Sequence, residues 1–311
     1  MTITQLKYVL SVSKHKNFTT AAEYSFVTQP TLSMQIQKLE DELEVVIFHR
    51  SKKSIELTDI GKKIVDQAKV IIDESNRIKD IIQQHKGFIG GEFKLGIIPT
   101  VISTLLPMFL NNFSKTYPHV KLIIEELNTE EIIKRLSDGE IHAGLAATPL
   151  KNIDIKEKPL YYEPFVGLVP TNHRLFDRKE ITPDELEIED LLLLEEGHCF
   201  KQTVINLCNR FKSDNKKNFQ LESGNFNTLI KLSKDGHGMT LLPYLQTLDL
   251  NANDQKFLRQ FKAPPPAREI SIIYHKSELK IELIEALKDT IDRVIRGAIS
   301  VHDVKIISPL K

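Results

Sequence analysis

The segment that begins at Thr28 has an apolar face and a polar face at the spacing of an α-helix. The apolar residues fall on one narrow stripe: Leu32, Ile36, Leu39 and Leu43. Small or polar side chains and one methionine occupy the opposite arc and its flanks: Pro30, Thr31, Ser33, Met34, Gln35, Gln37 and Lys38. Thr28 is a predicted N-cap, and Pro30 lies in the first turn, where a missing N–H costs little. A DNA recognition helix needs this division, because one face is buried on its own domain while the other offers short polar groups to base edges.

The residues on either side of this segment suit a winged helix-turn-helix domain. Residues 17–27 contain Thr19-Thr20-Ala21-Ala22, a capped helix start followed by small residues that allow two helices to cross closely. Three basic residues suited to phosphate contacts and a minor-groove wing follow in an apparent turn: Arg50, Lys52 and Lys53. We expect DNA contacts from eight residues: Gln29, Pro30, Thr31, Ser33, Gln35, Lys38, Arg50 and Lys53. On periodicity alone, a small helical bundle with a solvated polar face is an equally good interpretation.

A long helical pattern covers residues 58–86 and ends at a glycine-rich stop, residues 87–91. Its apolar positions step by four and three, with one serine among them: Ile64, Ala68, Ile71, Ser75, Ile78 and Ile82. This spacing is the seam of a coiled coil, whereas a helix packed only on its own domain would show a broader stripe. We therefore expect a DNA-binding domain at 1–58, a dimerisation helix at 59–86 and a hinge at 87–91.

Beyond the hinge, strand-like apolar runs alternate with amphipathic helical runs. Strands are predicted at 93–98, 121–125, 142–146 and 269–274, and helices at 101–117, 130–138 and 281–295. This alternation predicts βαβ units and a mainly parallel sheet. The fold class is therefore α+β multidomain: a winged helix-turn-helix, a long linker helix and a C-terminal α/β domain.

The composition limits the remaining classes of protein. The 311 residues carry a formal net charge of zero, so any attraction for DNA must come from a local patch. Two cysteines in the whole chain argue against a secreted disulfide framework. No stretch reaches the roughly 18 apolar residues of a membrane span, and no signal sequence is evident at the start. We expect a cytoplasmic protein with no membrane partner, metal or cofactor.

The two cysteines, Cys199 and Cys208, are nine positions apart. Residues 194–198 read as a strand end and a glycine turn, and residues 203–211 as a helix. Cys199 would then lie near a helix N-terminus, where the positive end of the helix dipole lowers the pKa of a thiol. The thiolate, rather than the thiol, attacks a peroxide. Two inert buried thiols are the alternative interpretation.

The spacing of the cysteines constrains any bond between them. In an unbroken helix, nine residues rise about 13 Å and place the two side chains on opposite faces. A disulfide needs Cα atoms within about 7 Å of each other. If oxidation joins Cys199 to Cys208, it must remodel residues 200–207, which is what a redox switch requires.

Several motifs in the N-terminal segment occur together without a gap: Ala21-Ala22, Val27-Thr28-Gln29-Pro30-Thr31-Leu32-Ser33, Gln35-Ile36, Leu39-Glu40-Asp41-Glu42-Leu43 and Phe48-His49-Arg50. Together they resemble the DNA-binding domain of the LysR family of transcription regulators. The resemblance implies double-stranded DNA and RNA polymerase as partners, and a linker helix that pairs subunits into homodimers and homotetramers.

The rest of the chain is similar to the two-lobed, periplasmic-binding-protein-like effector domain of the same family. It implies a regulatory domain at 92–311, with lobe I at 92–162 and 268–300 and lobe II at 163–267. Ligands in such folds lie at strand C-termini, against helix N-termini. Thr100 directly follows the first strand, and Thr129 is placed to cap the helix after the second. Each threonine can also be read simply as an N-cap.

The segment Glu196-Gly197-His198-Cys199, with Cys208 nine residues on, resembles the hydrogen-peroxide-sensing OxyR branch of the LysR family. So do residues 96–101, Leu106-Pro107, the segment around Thr129 and residues 268–270. The resemblance implies that Cys199 is oxidised first and that Cys208 resolves the product as a disulfide. It also implies that Thr100, Thr129 and His198 position peroxide, that Arg268 stabilises the thiolate, and that antioxidant genes are the targets.

Two other functions remain open. A LysR-type regulator could bind a small anionic effector in its cleft, with both cysteines structural. A thiol peroxidase, an enzyme proper, has less support, because turnover does not need a DNA-reading domain. We therefore expect a regulator rather than an enzyme.

Overall fold

The computed structural model describes residues 1–50, 55–85, 89–195, 199–208, 225–299 and 303–309. The chain forms two compact units, Met1–Gly87 and Phe88–Lys311. The first unit contains these elements in order: α1 (Ile3–His15), α2 (Phe18–Tyr24), α3 (Gln29–Leu43), β1 (Phe48–Arg50), β2 (Ile55–Leu57) and α4 (Asp59–His85). Among the described residues, no helix combines the length and the apolar character needed to cross a membrane.

The helix ends of the first unit are fixed by local hydrogen bonds. Thr2 and Gln5 form a capping box at the start of α1. Helix α2 is capped by Asn17, whose side chain accepts from the backbone N–H groups of Thr19 and Thr20. The predicted capped start at Thr19-Thr20 is therefore wrong by two residues, because an asparagine amide oxygen reaches the first free N–H groups of the helix.

The core of the first unit joins the three N-terminal helices to the start of α4. The apolar stripe of α3 meets side chains of α1 and α4, all with at most 5% of their area exposed: Leu6, Val9, Leu32, Ile36, Leu39, Val65 and Ala68. Strands β1 and β2 pair antiparallel, with Phe48 opposite Leu57. The unit is thus a helix-turn-helix followed by a two-stranded wing.

The second unit is a mixed α/β structure. Its elements are β3 (Gly91–Ile97), α5 (Pro99–Thr116), β4 (Val120–Glu126), α6 (Thr129–Ser137), β5 (Ala143–Thr148), β6 (Ile155–Leu168), β7 (Glu180–Ile181), α7 (Cys199–Leu207), α8 (Phe226–Lys234), β8 (Thr240–Pro243), α9 (Tyr244–Thr247), β9 (Leu258–Phe261), β10 (Pro266–His275), α10 (Ile281–Ile295) and β11 (Lys305–Ile306). The strand order is β4-β3-β5-β10-β6-β9-β7, with β11 on β10 and β8 on β6.

The prediction of a mainly parallel sheet is right for the first three strands, and elsewhere only two short pairs of the described strands, β7–β9 and β10–β11, are parallel. Strand β3 is parallel to β4 and β5, as the βαβ pattern predicts, whereas β10 runs antiparallel to both β5 and β6. Because β10 is antiparallel to both β5 and β6, those two strands run in the same direction, and β10 returns between them in the opposite direction.

Strand β6 connects two separate cores. Its first part, residues 155–164, pairs with β10 in one lobe, and its last residues pair with β8 and β9 in the other. One hydrophobic cluster lies under α5 and α10, and the second contains the apolar side chains of α7 and α8. Glu163 and Arg268 face each other across β6 and β10, close to the point where β6 changes partners.

Candidate functional site

Helix α3 presents the polar face that the sequence predicts. Leu32, Ile36 and Leu39 are fully buried. Among the candidate DNA contacts, Ser33 and Gln35 are half-buried, and the others on this helix are exposed: Gln29, Pro30, Thr31 and Lys38. Leu43 is 37% exposed, because it is the last helical residue before the left-handed Glu44. Its assignment to the buried stripe is therefore wrong.

Two polar side chains at α3 have local partners that the sequence did not predict. Thr28 occupies the N-cap position, but its hydroxyl lies 2.8 Å from the hydroxyl of Thr31 and caps no backbone N–H. Gln5 of α1 donates to the side-chain oxygen of Gln35 at 3.4 Å. Gln35 is therefore oriented from α1, and the hydroxyl of Thr31 is engaged with Thr28, whereas Gln29 and Lys38 are exposed.

The wing carries the other candidate DNA contacts. Arg50 ends β1, but its side chain lies outside the described part of the structure, as does the whole of Lys53. Their roles in phosphate contact remain predictions.

The start of α4 packs on its own unit. Val65, Ala68 and Ile72 are buried in that core, and Ile64 packs against it. The stripe here is broader than a coiled-coil seam, because it also fills the groove beside α1. Ile78, further along the helix, is 60% exposed, and the side chain of Ile82 lies outside the described part of the structure, so the pairing role of this seam stays a prediction.

A buried ion pair organises the centre of the second unit. Glu163 Oε2 accepts from Arg268 Nε at 2.9 Å and from Nη2 at 2.8 Å, and both side chains are 1% exposed. Arg268 also donates to the hydroxyl of Thr100 at 2.8 Å and to its carbonyl at 2.9 Å. Glu163 Oε1 accepts the backbone N–H of Leu245 at 2.9 Å. Each buried charge is thus met by several hydrogen bonds, as burial requires.

The first turn of helix α7 packs against this pair. The helix begins at Cys199, whose side chain lies outside the described residues, and the ring of Phe200 lies 5.3 Å from the guanidinium carbon of Arg268. The predicted helix at 203–211 therefore starts four residues too late, because Phe200 packs into the second core and extends the helix. His198 lies outside the described residues.

Cys208 follows the end of the same helix. Its backbone N–H donates to Val204 O at 3.3 Å and to Ile205 O at 3.1 Å. Its thiol is free and buried. Burial, followed by the charge of Glu189, raises the pKa of this thiol to about 11. Since α7 is continuous from Cys199 to Leu207, the cysteine Cα atoms are about 13 Å apart by helix geometry, too far for a disulfide.

Thr129 differs from its predicted role. The cap of α6 is Asn128, which forms a capping box with Glu131. Thr129 is the first helical residue, and its hydroxyl oxygen is buried with no hydrogen-bond partner among the described residues. Buried hydroxyls are normally paired with protein or with a bound molecule, so this oxygen points to a small polar ligand.

A cleft of about 200 Å³ opens beside Thr100 in the second unit. It is lined by polar and apolar side chains: Pro99, Thr100, Ile102, Ser103, Glu126, Asn225, Phe226, Asn227 and Gln246. Within the described lining, the one ionisable side chain is the carboxylate of Glu126. This carboxylate disfavours an anion bound next to it.

Comparisons with known proteins agree with this architecture. The family model described as bacterial regulatory helix-turn-helix protein, lysR family, matches residues 3–62, and the LysR substrate binding domain matches residues 86–296. The chain belongs to the LysR family.

Full-length LysR relatives extend the likeness along the whole chain. The hydrogen peroxide-inducible genes activator of Pectobacterium carotovorum subsp. carotovorum is 30% identical over 297 residues, which cover 96% of this chain and 98% of that protein. The DNA-binding transcriptional dual regulator OxyR of Escherichia coli is 30% identical over 307 residues, covering 96% and 100%. A full-length OxyR variant from Pseudomonas aeruginosa has a TM-score of 0.73 at 33% identity, covering 94% and 98%. The resemblance to the OxyR branch is confirmed.

Two residues of this LysR-family site were missed by sequence reasoning. Glu163 interrupts a run that is otherwise mostly apolar, and a lone charge in a buried strand signals a buried partner. Phe200 looks like an ordinary core residue in the sequence, and only the fold brings it onto Arg268.

Proposed function

We propose that the chain is a DNA-binding transcription regulator that senses hydrogen peroxide through Cys199 and Cys208 and controls antioxidant genes. One observation carries the proposal: α7 begins at Cys199 beside the Arg268 cluster and ends just before Cys208. The reduced chain would therefore hold its two thiols apart on one helix. Oxidation would have to unwind that helix.

The first chemical step takes place at Cys199. The thiolate sulfur attacks one peroxide oxygen, the O–O bond breaks, and the leaving hydroxide takes a proton to become water, so that Cys199 becomes a sulfenic acid. The N-terminal end of α7 favours the thiolate, since unpaired backbone N–H groups gather there. Thr100, Thr129 and His198 would hold the peroxide, with the hydroxyl of Thr129, which has no hydrogen-bond partner in the described part of the chain, as a donor to one oxygen.

Arg268, which contacts Phe200 in the first turn of α7, would stabilise the negative charge of the Cys199 thiolate. Its own charge is partly neutralised by Glu163 at 2.8 Å, so we expect a positioned hydrogen-bond donor more than a free cation.

The second step joins the cysteines. The Cys208 sulfur attacks the sulfenic sulfur, an S–S bond forms, and the sulfenic oxygen leaves as water with the Cys208 proton. Each regulator is oxidised once per signal, and an external thiol reductant resets it. No catalytic turnover is part of the proposal.

We propose a DNA-binding domain at 1–58, a dimerisation helix at 59–86, a hinge at 87–91 and a regulatory domain at 92–311, with lobe I at 92–162 and 268–300 and lobe II at 163–267. Homodimers or homotetramers would place two copies of α3 on double-stranded DNA in the cytoplasm. Formation of the disulfide would change the distance between these two helices. RNA polymerase is the proposed recipient of the signal.

Peroxide titration with thiol trapping and mass spectrometry tests the sensor. Wild type should form a Cys199–Cys208 disulfide at micromolar peroxide, Cys208→Ser should stop at the sulfenic acid, and Cys199→Ser should not react. Absence of the 199–208 bond in wild type would refute the proposal. Specific binding of a small organic anion with both thiols unreactive would support the effector-binding regulator instead.

Substitutions on α3 and in the wing test the DNA-reading half. Gln29→Ala or Ser33→Ala should change base preference, since we propose that these side chains contact base edges. Lys53→Ala should weaken binding evenly on all sequences and reduce the slope of log K against log salt by about one. Equal losses on every sequence for both kinds of variant would contradict the assignment of α3.

A further inference from the structure

The segment 303–309, which we term the C-terminal strap, is bound to the strand that carries Arg268. The backbone N–H of Lys305 donates to Pro265 O at 2.9 Å, and that of Ile307 donates to Ala267 O at 2.8 Å. Between them, Lys305 and Ile306 form β11, parallel to the start of β10. The strap is therefore a sheet strand rather than a loose end.

The strap is also bonded to the last turn of α7. The side-chain amide nitrogen of Asn206 donates to Ser308 O at 3.1 Å. The side-chain oxygen of Asn206 accepts from Gln202 at 2.8 Å, within the helix. Ile307 packs against the hydrophobic core that contains Val204, and Pro309 is buried. The turn that leads into Cys208 is thus held from outside as well as by its own backbone.

We propose that the C-terminal strap is a restraint on the redox switch, holding the last turn of α7 folded so that its release sets the rate at which Cys208 reaches Cys199. This inference rests on the proposed function, because it concerns the second of the two oxidation steps. Peroxide is consumed in the first step. The strap acts only on the step in which the S–S bond forms and water leaves.

The state of Cys208 in the folded helix supports this role. The thiol is 5% exposed, and burial with the charge of Glu189 keeps its pKa near 11. A protonated, enclosed thiol is a poor nucleophile, so Cys208 cannot attack until its turn opens. Asn206 lies in that turn, two residues before the cysteine, and its bond to Ser308 must break when the turn opens.

Two alanine substitutions distinguish the effect of the C-terminal strap from an effect on the stability of α7 itself. Asn206→Ala and Gln202→Ala both place alanine in α7 and both remove the Gln202–Asn206 bond, but only Asn206→Ala removes the bond to Ser308. Asn206→Ala should therefore speed disulfide formation by about two- to tenfold over Gln202→Ala, the change that one hydrogen bond of ordinary strength supports. Removal of residues 304–311 should give a larger increase.

Two further measurements identify the affected step. In a Cys208→Ser background, the rate of sulfenic acid formation should be the same with and without the Asn206→Ala change. In a Cys199→Ser background, alkylation of Cys208 in the reduced protein should accelerate with Asn206→Ala and with the truncation, without any peroxide. Equal rates of disulfide formation for Asn206→Ala and Gln202→Ala, or an unchanged rate of Cys208 alkylation, would refute the proposal that the C-terminal strap restrains α7. If wild type forms no disulfide, the proposed function fails, and alkylation still decides whether the strap restrains the helix.

Discussion

The Glu163–Arg268 pair should dominate the stability of the regulatory unit. Arg268→Gln removes two hydrogen bonds to Glu163 and two to Thr100, and leaves a 1% exposed carboxylate with the backbone N–H of Leu245. Breaking one side of a buried ion pair costs about 3–5 kcal/mol. For a unit of this size, about 1 kcal/mol shifts the melting temperature by roughly 2–4 °C, so we expect a loss of about 6–20 °C.

A double-mutant cycle tests whether the loss comes from the pair. Glu163→Gln alone should also be strongly destabilising, because it leaves the guanidinium buried without its counter-charge. The double variant leaves two neutral amides, and its loss should be smaller than the sum of the single losses by about 1–3 kcal/mol. Circular dichroism melting of the full chain, which contains no tryptophan, measures each value. Additive losses, or a shift below about 2 °C for Arg268→Gln, would refute the reasoning.

Two further predictions concern the first lobe. Burial, and then the charge of Lys280, lower the pKa of His142 from 6.5 to about 3. The neutral ring therefore contributes stability that is fully present above pH 6.5 and is lost as the pH falls toward 3. Wild type should therefore lose more unfolding free energy than His142→Gln over that interval, and equal losses in urea titrations would count against a buried neutral ring. At Gly144, an added Cβ would lie 2.4 Å from the side chain of Ile132, whereas at Gly297 its nearest atom lies at 3.8 Å. Gly144→Ala should cost about 1–3 kcal/mol and Gly297→Ala close to nothing, and similar unfolding curves for the two would contradict the packing of β5.

Local periodicity predicted the elements whose buried face is defined by their own apolar residues. Helix α10 has the predicted bounds, Ile281–Ile295, because its apolar positions alone define the buried face. The capping box of Asn128 and Glu131 has a local sequence signature, so the prediction of Thr129 as the cap is wrong at a position where the sequence itself favours Asn128.

The chemistry of the site depends on contacts that periodicity cannot predict. Glu163 and Arg268 are 105 residues apart, and only the register of two antiparallel strands places them opposite each other. The early start of α7 likewise depends on Phe200, which packs between Phe165 and Phe226 from distant parts of the chain. The two cysteines could be predicted as candidates from spacing, but the restraint on their helix comes from tertiary structure.

Hydrogen exchange of the backbone amides in α7 tests the central claim most directly. The full chain would be measured reduced, after peroxide, and after peroxide with Cys208→Ser. We predict a protected helix at Cys199–Leu207 in the reduced chain, loss of that protection after peroxide in wild type, and retention of it in Cys208→Ser. Protection that survives peroxide in wild type, with the 199–208 disulfide present, would contradict a switch that works by unwinding this helix.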